Sequence, residues 1–173
     1  MKVMVIGGGG REHAIVKKLR ENQQITDLYV LPGNGGMARE ATCVPIGATD
    51  LPAIAAFAKE KAIDYAVVTP DDPLVLGAVD LLEGQGVPCF GPNKAAAILE
   101  GSKAFAKDFM QRHHIPTAAY RTFTDPEAAL LYVQDCPLPT VVKADGLALG
   151  KGVVIAETRA EAETAAWPGK PPV

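Results

Sequence analysis

From Lys2 to Ile6 the chain is almost wholly apolar with no polar alternation, the pattern of a short strand buried on both faces. Ala14, Ile15, Lys18 and Leu19 then recur at helical spacing, predicting a helix over Glu12–Glu21. Leu28–Leu31 reads as a second strand, and Asp50 as the N-cap of a helix Leu51–Lys61 whose inner face carries Ile54, Phe57 and Ala58. Further on come a strand Tyr65–Thr69, a helix Leu74–Gln85, a strand Val87–Phe90 and a helix Lys94–Glu100. Strands that alternate with helices are joined as parallel neighbours by right-handed crossovers, so residues 1 to 100 predict an α/β, doubly wound parallel sheet.

After Gly101 the pattern changes. Ser102 is placed to cap a helix Lys103–His113 in which Phe105, Phe109 and Met110 form an apolar stripe, and Ile115-Pro116 follows. Tyr120–Phe123 reads as a strand, and Asp125-Pro126 opens a helix containing Leu130, Leu131 and Val133. Thr140–Lys143 and Val153–Ala156 are two strands around one glycine-rich turn, which makes a hairpin rather than a strand-to-helix unit. Thr158 caps a last helix, Arg159–Ala166, and the prolines after Trp167 forbid a regular element there.

The chemistry sits in the turns. Gly7–Gly10 joins the first strand to the first helix, where backbone N–H groups and the positive end of the helix dipole suit a phosphate. The second strand ends in Pro32-Gly33-Asn34-Gly35-Gly36. A dinucleotide fingerprint fails here, because Glu12 replaces its third glycine and the second strand ends in glycines instead of an acidic residue for a ribose. That argues against a NAD-dependent oxidoreductase. Two glycine loops at neighbouring strand ends suggest one compact anion, with a plain surface loop as the alternative for the second. Pro70 and Pro73 stiffen a third loop, and either Asp71 or Asp72 serves there as a site carboxylate or as a helix cap.

Val141–Gly152, VVKADGLALGKG, supplies Lys143 and Lys151 beside Gly146, Gly150 and Gly152, a composition suited to phosphates. It is not a Walker loop, since Gly150-Lys151 lacks the earlier glycine and is followed by Gly152. Lys103, in the first turn of its helix, opposes the dipole; it is either a surface residue or an anion ligand.

Composition narrows the setting. With 173 residues, 48% hydrophobic and a net charge of −3, the chain suits a globular protein with no basic field for nucleic acid or an anionic membrane. Cys43, Cys89 and Cys136 are widely spaced and include no C-x-x-C pair, as expected of reduced thiols, and no metal set is evident. Without a signal peptide or an apolar run of about 18 residues, a soluble, cytoplasmic protein is expected.

Four stretches together, GGGGREHA at Gly7–Ala14, PGNGG at Pro32–Gly36, GSKAFAKDFM at Gly101–Met110 and KADGLALGKGV at Lys143–Val153, resemble the phosphoribosylamine–glycine ligase family of the ATP-grasp superfamily. The resemblance runs in register to about Ala162. It implies a pre-ATP-grasp domain over residues 1 to 101, an incomplete first lobe of an ATP-grasp domain over 102 to 166, and an irregular tail over 167 to 173. It implies a purine-biosynthesis ligase that joins glycine to phosphoribosylamine with ATP and magnesium, through an acyl phosphate of glycine. ATP would meet Lys103, Lys143, Asp145, Gly146, Gly150, Lys151 and Gly152, while Gly8, Gly9, Gly10, Asn34, Gly35, Gly36, Pro70 and Asp71 would face the phosphoribosylamine side. TPDDPL stands where the family more often reads GPExPL, so Asp71 keeps the charge with a shorter reach. Family members run well past residue 173, and their magnesium ligands and adenine pocket belong to that further part. The expectation is that this chain alone is inactive and is a fragment or frame-shifted product; a non-catalytic binding module complementing a separately encoded remainder is the alternative.

Overall fold

The computed structural model describes residues 1–148 and 151–167. The chain divides into two compact units, Met1–Gly101 and from Ser102 onward.

The first unit is built on β1 (Lys2–Gly7), α1 (Gly10–Arg20), β2 (Asp27–Pro32), β3 (Thr42–Cys43), α2 (Leu51–Lys61), β4 (Tyr65–Val68), α3 (Asp71–Leu76), α4 (Ala78–Gly84), β5 (Cys89–Phe90) and α5 (Lys94–Gly101). Its five strands are parallel in the order β3-β2-β1-β4-β5. Alternation along β1 explains its unbroken apolar sequence. Met4 and Ile6 pack with Leu31, Ile54, Val68 and Leu82 on one face of the sheet, while Val3 and Val5 pack with Val16, Leu28, Val30 and Met37 on the other. Burying each such side chain contributes about 2 kcal/mol, so the central strand anchors both layers.

Local signals placed α2 well: Asp50 accepts a hydrogen bond from Ala53 N–H at 3.2 Å, and the helix spans the residues its pattern predicts. The expected helix Leu74–Gln85 is different. It starts at Asp71 and is broken at Gly77, whose φ of +96° ends α3 and begins α4. Pro70 occupies the N-cap position and no side chain caps the helix, so neither Asp71 nor Asp72 is the cap. Strand β3 has no signal of its own; it is two residues defined by pairing with Tyr29 and Val30.

The second unit holds α6 (Lys103–Arg112), α7 (Pro126–Asp135), β6 (Thr140–Lys143), β7 (Val153–Ala156) and α8 (Arg159–Ala166). The predicted hairpin forms, antiparallel, with Val141 opposite Ile155 and Lys143 opposite Val153. Thr158 and Glu161 make a reciprocal capping box at the start of α8. Tyr120–Phe123 is not a strand. Side chains hold its start to α6 instead: the Tyr120 hydroxyl donates to Asp108 at 2.5 Å, and Lys107 Nζ donates to Thr117 Oγ1 at 2.7 Å. The core is small, formed by Val133, Ala156 and Ala162. Arg159 braces it by donating to the Val133 and Cys136 carbonyls. Of the expected tail, residues 168 to 173 lie outside the described residues, as does Gly150. Among the described residues no helix is long and apolar enough to cross a membrane.

Candidate functional site

In the first unit the ends of β1 and β2 bring both glycine loops together. Gly33 N–H donates to the Gly7 carbonyl at 3.2 Å, and Asn34 Nδ2 donates to the Gly8 carbonyl at 3.0 Å. Asn34 Oδ1 in turn accepts from Gly36 N–H at 2.8 Å and Met37 N–H at 3.0 Å, which fixes the second loop in a tight turn. The loops touch at Gly8, where a Cβ would stand 2.8 Å from the Gly33 carbonyl oxygen. Gly8, Gly9 and Gly10 are exposed, and the N–H groups of Gly8 and Gly10 have no partner among the described residues. Such a cluster at the N-terminus of α1 offers donors to a small anion.

The residue that breaks the dinucleotide fingerprint is the brace of this crevice. Glu12 is 3% exposed, and its carboxylate accepts from Gly9 N–H at 2.8 Å and from Thr69 Oγ1 at 2.6 Å. It thereby ties the first glycine loop to the end of β4, a link invisible in sequence because Thr69 is distant. Next to it, His13 Nε2 lies 3.3 Å from Glu40 Oε1. Pro70 and Asp71 follow Thr69 at the carboxyl end of β4 and are half-buried. The carboxyl ends of β4 and β5 also line an open, mostly apolar cavity of about 540 Å³ between Val68, Thr69, Leu74, Cys89, Phe90, Gly91 and Pro92. Burial, reinforced by Glu83, pushes the Cys89 thiol up to about 11, so it stays protonated and is a poor nucleophile.

In the second unit the antiparallel register puts Val141, Ile155, Val153 and Lys143 on one face of the β6–β7 ribbon. That face is open: Val141 is 49% exposed, Ile155 67% and Val153 44%. An apolar floor ending in an exposed lysine suits an amphipathic ligand with a flat body and an anionic tail. Ala144 N–H donates to the Gly152 carbonyl and Lys151 N–H to the Ala148 carbonyl, both at 2.8 Å, which carries the ribbon into the glycine turn. Lys143 and Lys151 are exposed.

Lys103 and Asp145, assigned by resemblance to ATP, have definite partners. Lys103 Nζ donates to the Gly146 carbonyl at 2.7 Å. Asp145 accepts from Ser102 Oγ at 3.0 Å and from Ala104 N–H at 3.2 Å, and Ser102 Oγ accepts from Phe105 N–H at 3.1 Å. Partial burial pushes the Asp145 carboxyl up, but hydrogen bonds from Ala104 and Gly146 N–H, Ser102 Oγ and Lys103 N–H outweigh it and hold the group below its usual range. Because the folded value is depressed, the stabilisation is complete above the ordinary aspartate value of about 3.9 and is lost as pH falls through the folded value. A carboxyl carbon-13 titration should therefore give Asp145 a midpoint below the ordinary aspartate value in the intact chain. Ser102→Ala should move that midpoint upward; an unchanged midpoint would show that the hydroxyl does not set it.

Among the described residues no group of three or more His, Cys, Asp or Glu is arranged to hold a metal ion.

Comparison with known proteins identifies the family. The family model "Phosphoribosylglycinamide synthetase, N domain" matches residues 1–100, and "Phosphoribosylglycinamide synthetase, ATP-grasp (A) domain" matches residues 101–167. Phosphoribosylamine–glycine ligase of Vibrio cholerae is 56% identical over 95% of this chain and 39% of its own length, and that of Salmonella typhimurium is 52% identical over the same shares. The crystal structure of phosphoribosylamine–glycine ligase from Thermotoga maritima superposes with a TM-score of 0.73 at 34% identity, over 95% of this chain and 38% of that one. The ADP complex of an N5-carboxyaminoimidazole ribonucleotide synthetase superposes at 0.74 with 20% identity, which attests the fold alone. The chain thus spans about two fifths of the length of the curated relatives it matches. With both family models matching in order over nearly all of its residues, the chain belongs to the phosphoribosylglycinamide synthetase family, as an α/β protein with a doubly wound first unit followed by part of an ATP grasp.

Proposed function

We propose that this chain is the substrate-gathering N-terminal portion of a purine-biosynthesis ligase that joins glycine to phosphoribosylamine, with conversion of ATP to ADP and phosphate. The observation that carries this reading is the pair of glycine loops stitched together at the ends of β1 and β2, with N–H groups at the head of α1 that have no partner among the described residues. A phosphate monoester fits there: Gly8, Gly9 and Gly10 surround it from one loop, Asn34, Gly35 and Gly36 from the other, and Pro70 and Asp71 border the sugar side. An aspartate at that edge accepts hydrogen bonds from sugar hydroxyls or an amine, which would orient the amine nitrogen.

ATP occupies the second unit. Val141 and Ile155 form one apolar wall toward its base, and Lys103, Lys143, Lys151 and the backbone at Gly146 and Gly152 hold its phosphates. The ammonium groups offset charge on the transferring phosphoryl group. Magnesium, when bound with the nucleotide, would neutralise further phosphate charge.

Isotope-labelled chain titrated with ribose 5-phosphate should show amide shifts at Gly8–Gly10 and Asn34–Gly36, and ATP should shift Lys103, Lys143, Gly146 and Lys151. Lys103→Met should weaken the ATP response by about tenfold, the scale of losing one charge-assisted contact. Silence at both sets of amides with millimolar ligand would refute the reading.

A further inference from the structure

We propose that Ser102 and Asp145 are positioning residues that lock Lys103 and the turn at Gly146 into a single arrangement, with Asp145 acting on α6 and not on the nucleotide. The inference rests on the reading of the second unit as the ATP site. An ionised carboxylate and a phosphate are both acceptors, so Asp145 has no direct hydrogen bond to offer a triphosphate. Its oxygens are already engaged by Ser102 Oγ and Ala104 N–H.

The first turn of α6 has no acidic residue of its own and carries Lys103, a charge of the wrong sign for that end of the dipole. Asp145 supplies the missing negative charge from 43 residues away. Ser102 is the relay: its oxygen accepts from Phe105 N–H while its hydroxyl donates to Asp145. Directly beside this clasp, Lys103 Nζ donates one of its three protons to the Gly146 carbonyl and keeps two for other acceptors. The clasp thus fixes a long, rotamer-rich side chain before any ligand arrives, which lowers the entropy lost on binding.

The test uses the full chain, with metal-free ATP in EDTA as the probe. Ser102→Ala should speed amide exchange at Ala104 and Phe105 by about tenfold without nucleotide, and weaken ATP, followed at the Lys143 and Lys151 amides, by about fivefold. Asp145→Asn should do the same, and the double variant should be little worse than either, as expected of two residues in one network. Ser102→Thr, which keeps the hydroxyl, should restore both readouts, which a general loss of folding would not do. Faster exchange with unchanged ATP affinity would overturn the assignment, and so would weaker ATP with unchanged exchange, the mark of direct contact. A wild-type chain that ignores ATP would overturn the nucleotide reading and this assignment with it; a wild-type response that Ser102→Ala leaves intact would overturn the assignment alone.

Discussion

Replacing Glu12 with alanine should lower the unfolding free energy of the first unit by about 3 kcal/mol, read by urea denaturation of the chain. The side chain is 3% exposed, and both of its oxygens accept hydrogen bonds, from Gly9 N–H and Thr69 Oγ1. Alanine would remove two hydrogen bonds to a charged carboxylate, worth about 1.5–3 kcal/mol each, and leave a gap in place of a buried side chain, while the exposed Gly9 N–H can turn to water and recover part of the loss. Glutamine is the informative control. It keeps an acceptor for one donor but turns an NH₂ group toward the other, so it should recover only part of the loss. A Glu12→Ala chain as stable as the parent would mean that the brace between the first loop and β4 is dispensable. Amide shifts at Gly9 and Gly10 should change in either variant.

Gly8→Ala should abolish the response to ribose 5-phosphate at Gly9, Gly10, Asn34 and Gly36, with a stability loss of about 1–3 kcal/mol, the range for overpacking. The added Cβ would lie 2.8 Å from a backbone oxygen of Gly33, and backbone cannot rotate out of the way as a side chain can. The two loops must part. Gly10→Ala separates this effect from a mere loss of glycine, since a Cβ there meets nothing within 4 Å and helical geometry tolerates alanine. Its stability should change by less than about 0.5 kcal/mol. Equal damage from the two substitutions would show that contact between the loops is not what shapes the crevice.

These residues also mark what sequence could disclose. Asp50, Asp125 and Thr158 located their helices because a cap acts on its own next turn, within three residues. The hairpin around the lysine-bearing turn was legible for the same reason: its strands are close in sequence and its glycines lie between them. Where the partner is remote, local pattern falls silent. Thr42 and Cys43 are a strand only because β2 lies alongside, and Tyr120–Phe123 has strand-like composition but no strand partner among the described residues. Gly77 falls inside the single helix expected over Leu74–Gln85, yet its positive φ makes two. At the candidate site the glycines and lysines announce themselves by type. The groups that hold them, Glu12 with Thr69 and Ser102 with Asp145, are joined across 57 and 43 residues and read as an imperfect fingerprint or an ordinary cap until the fold brings them together.

The strand order β3-β2-β1-β4-β5 has a consequence for how the first unit is made. The strand synthesised first is the central one, and every later strand is added at an outer edge of what already exists: β2 beside β1, β3 beyond β2, β4 on the opposite side and β5 beyond that. No strand has to be inserted between two that are already paired. As a nascent chain emerges, each new strand therefore finds its docking edge already formed, and assembly can proceed outward in step with translation without opening earlier pairs.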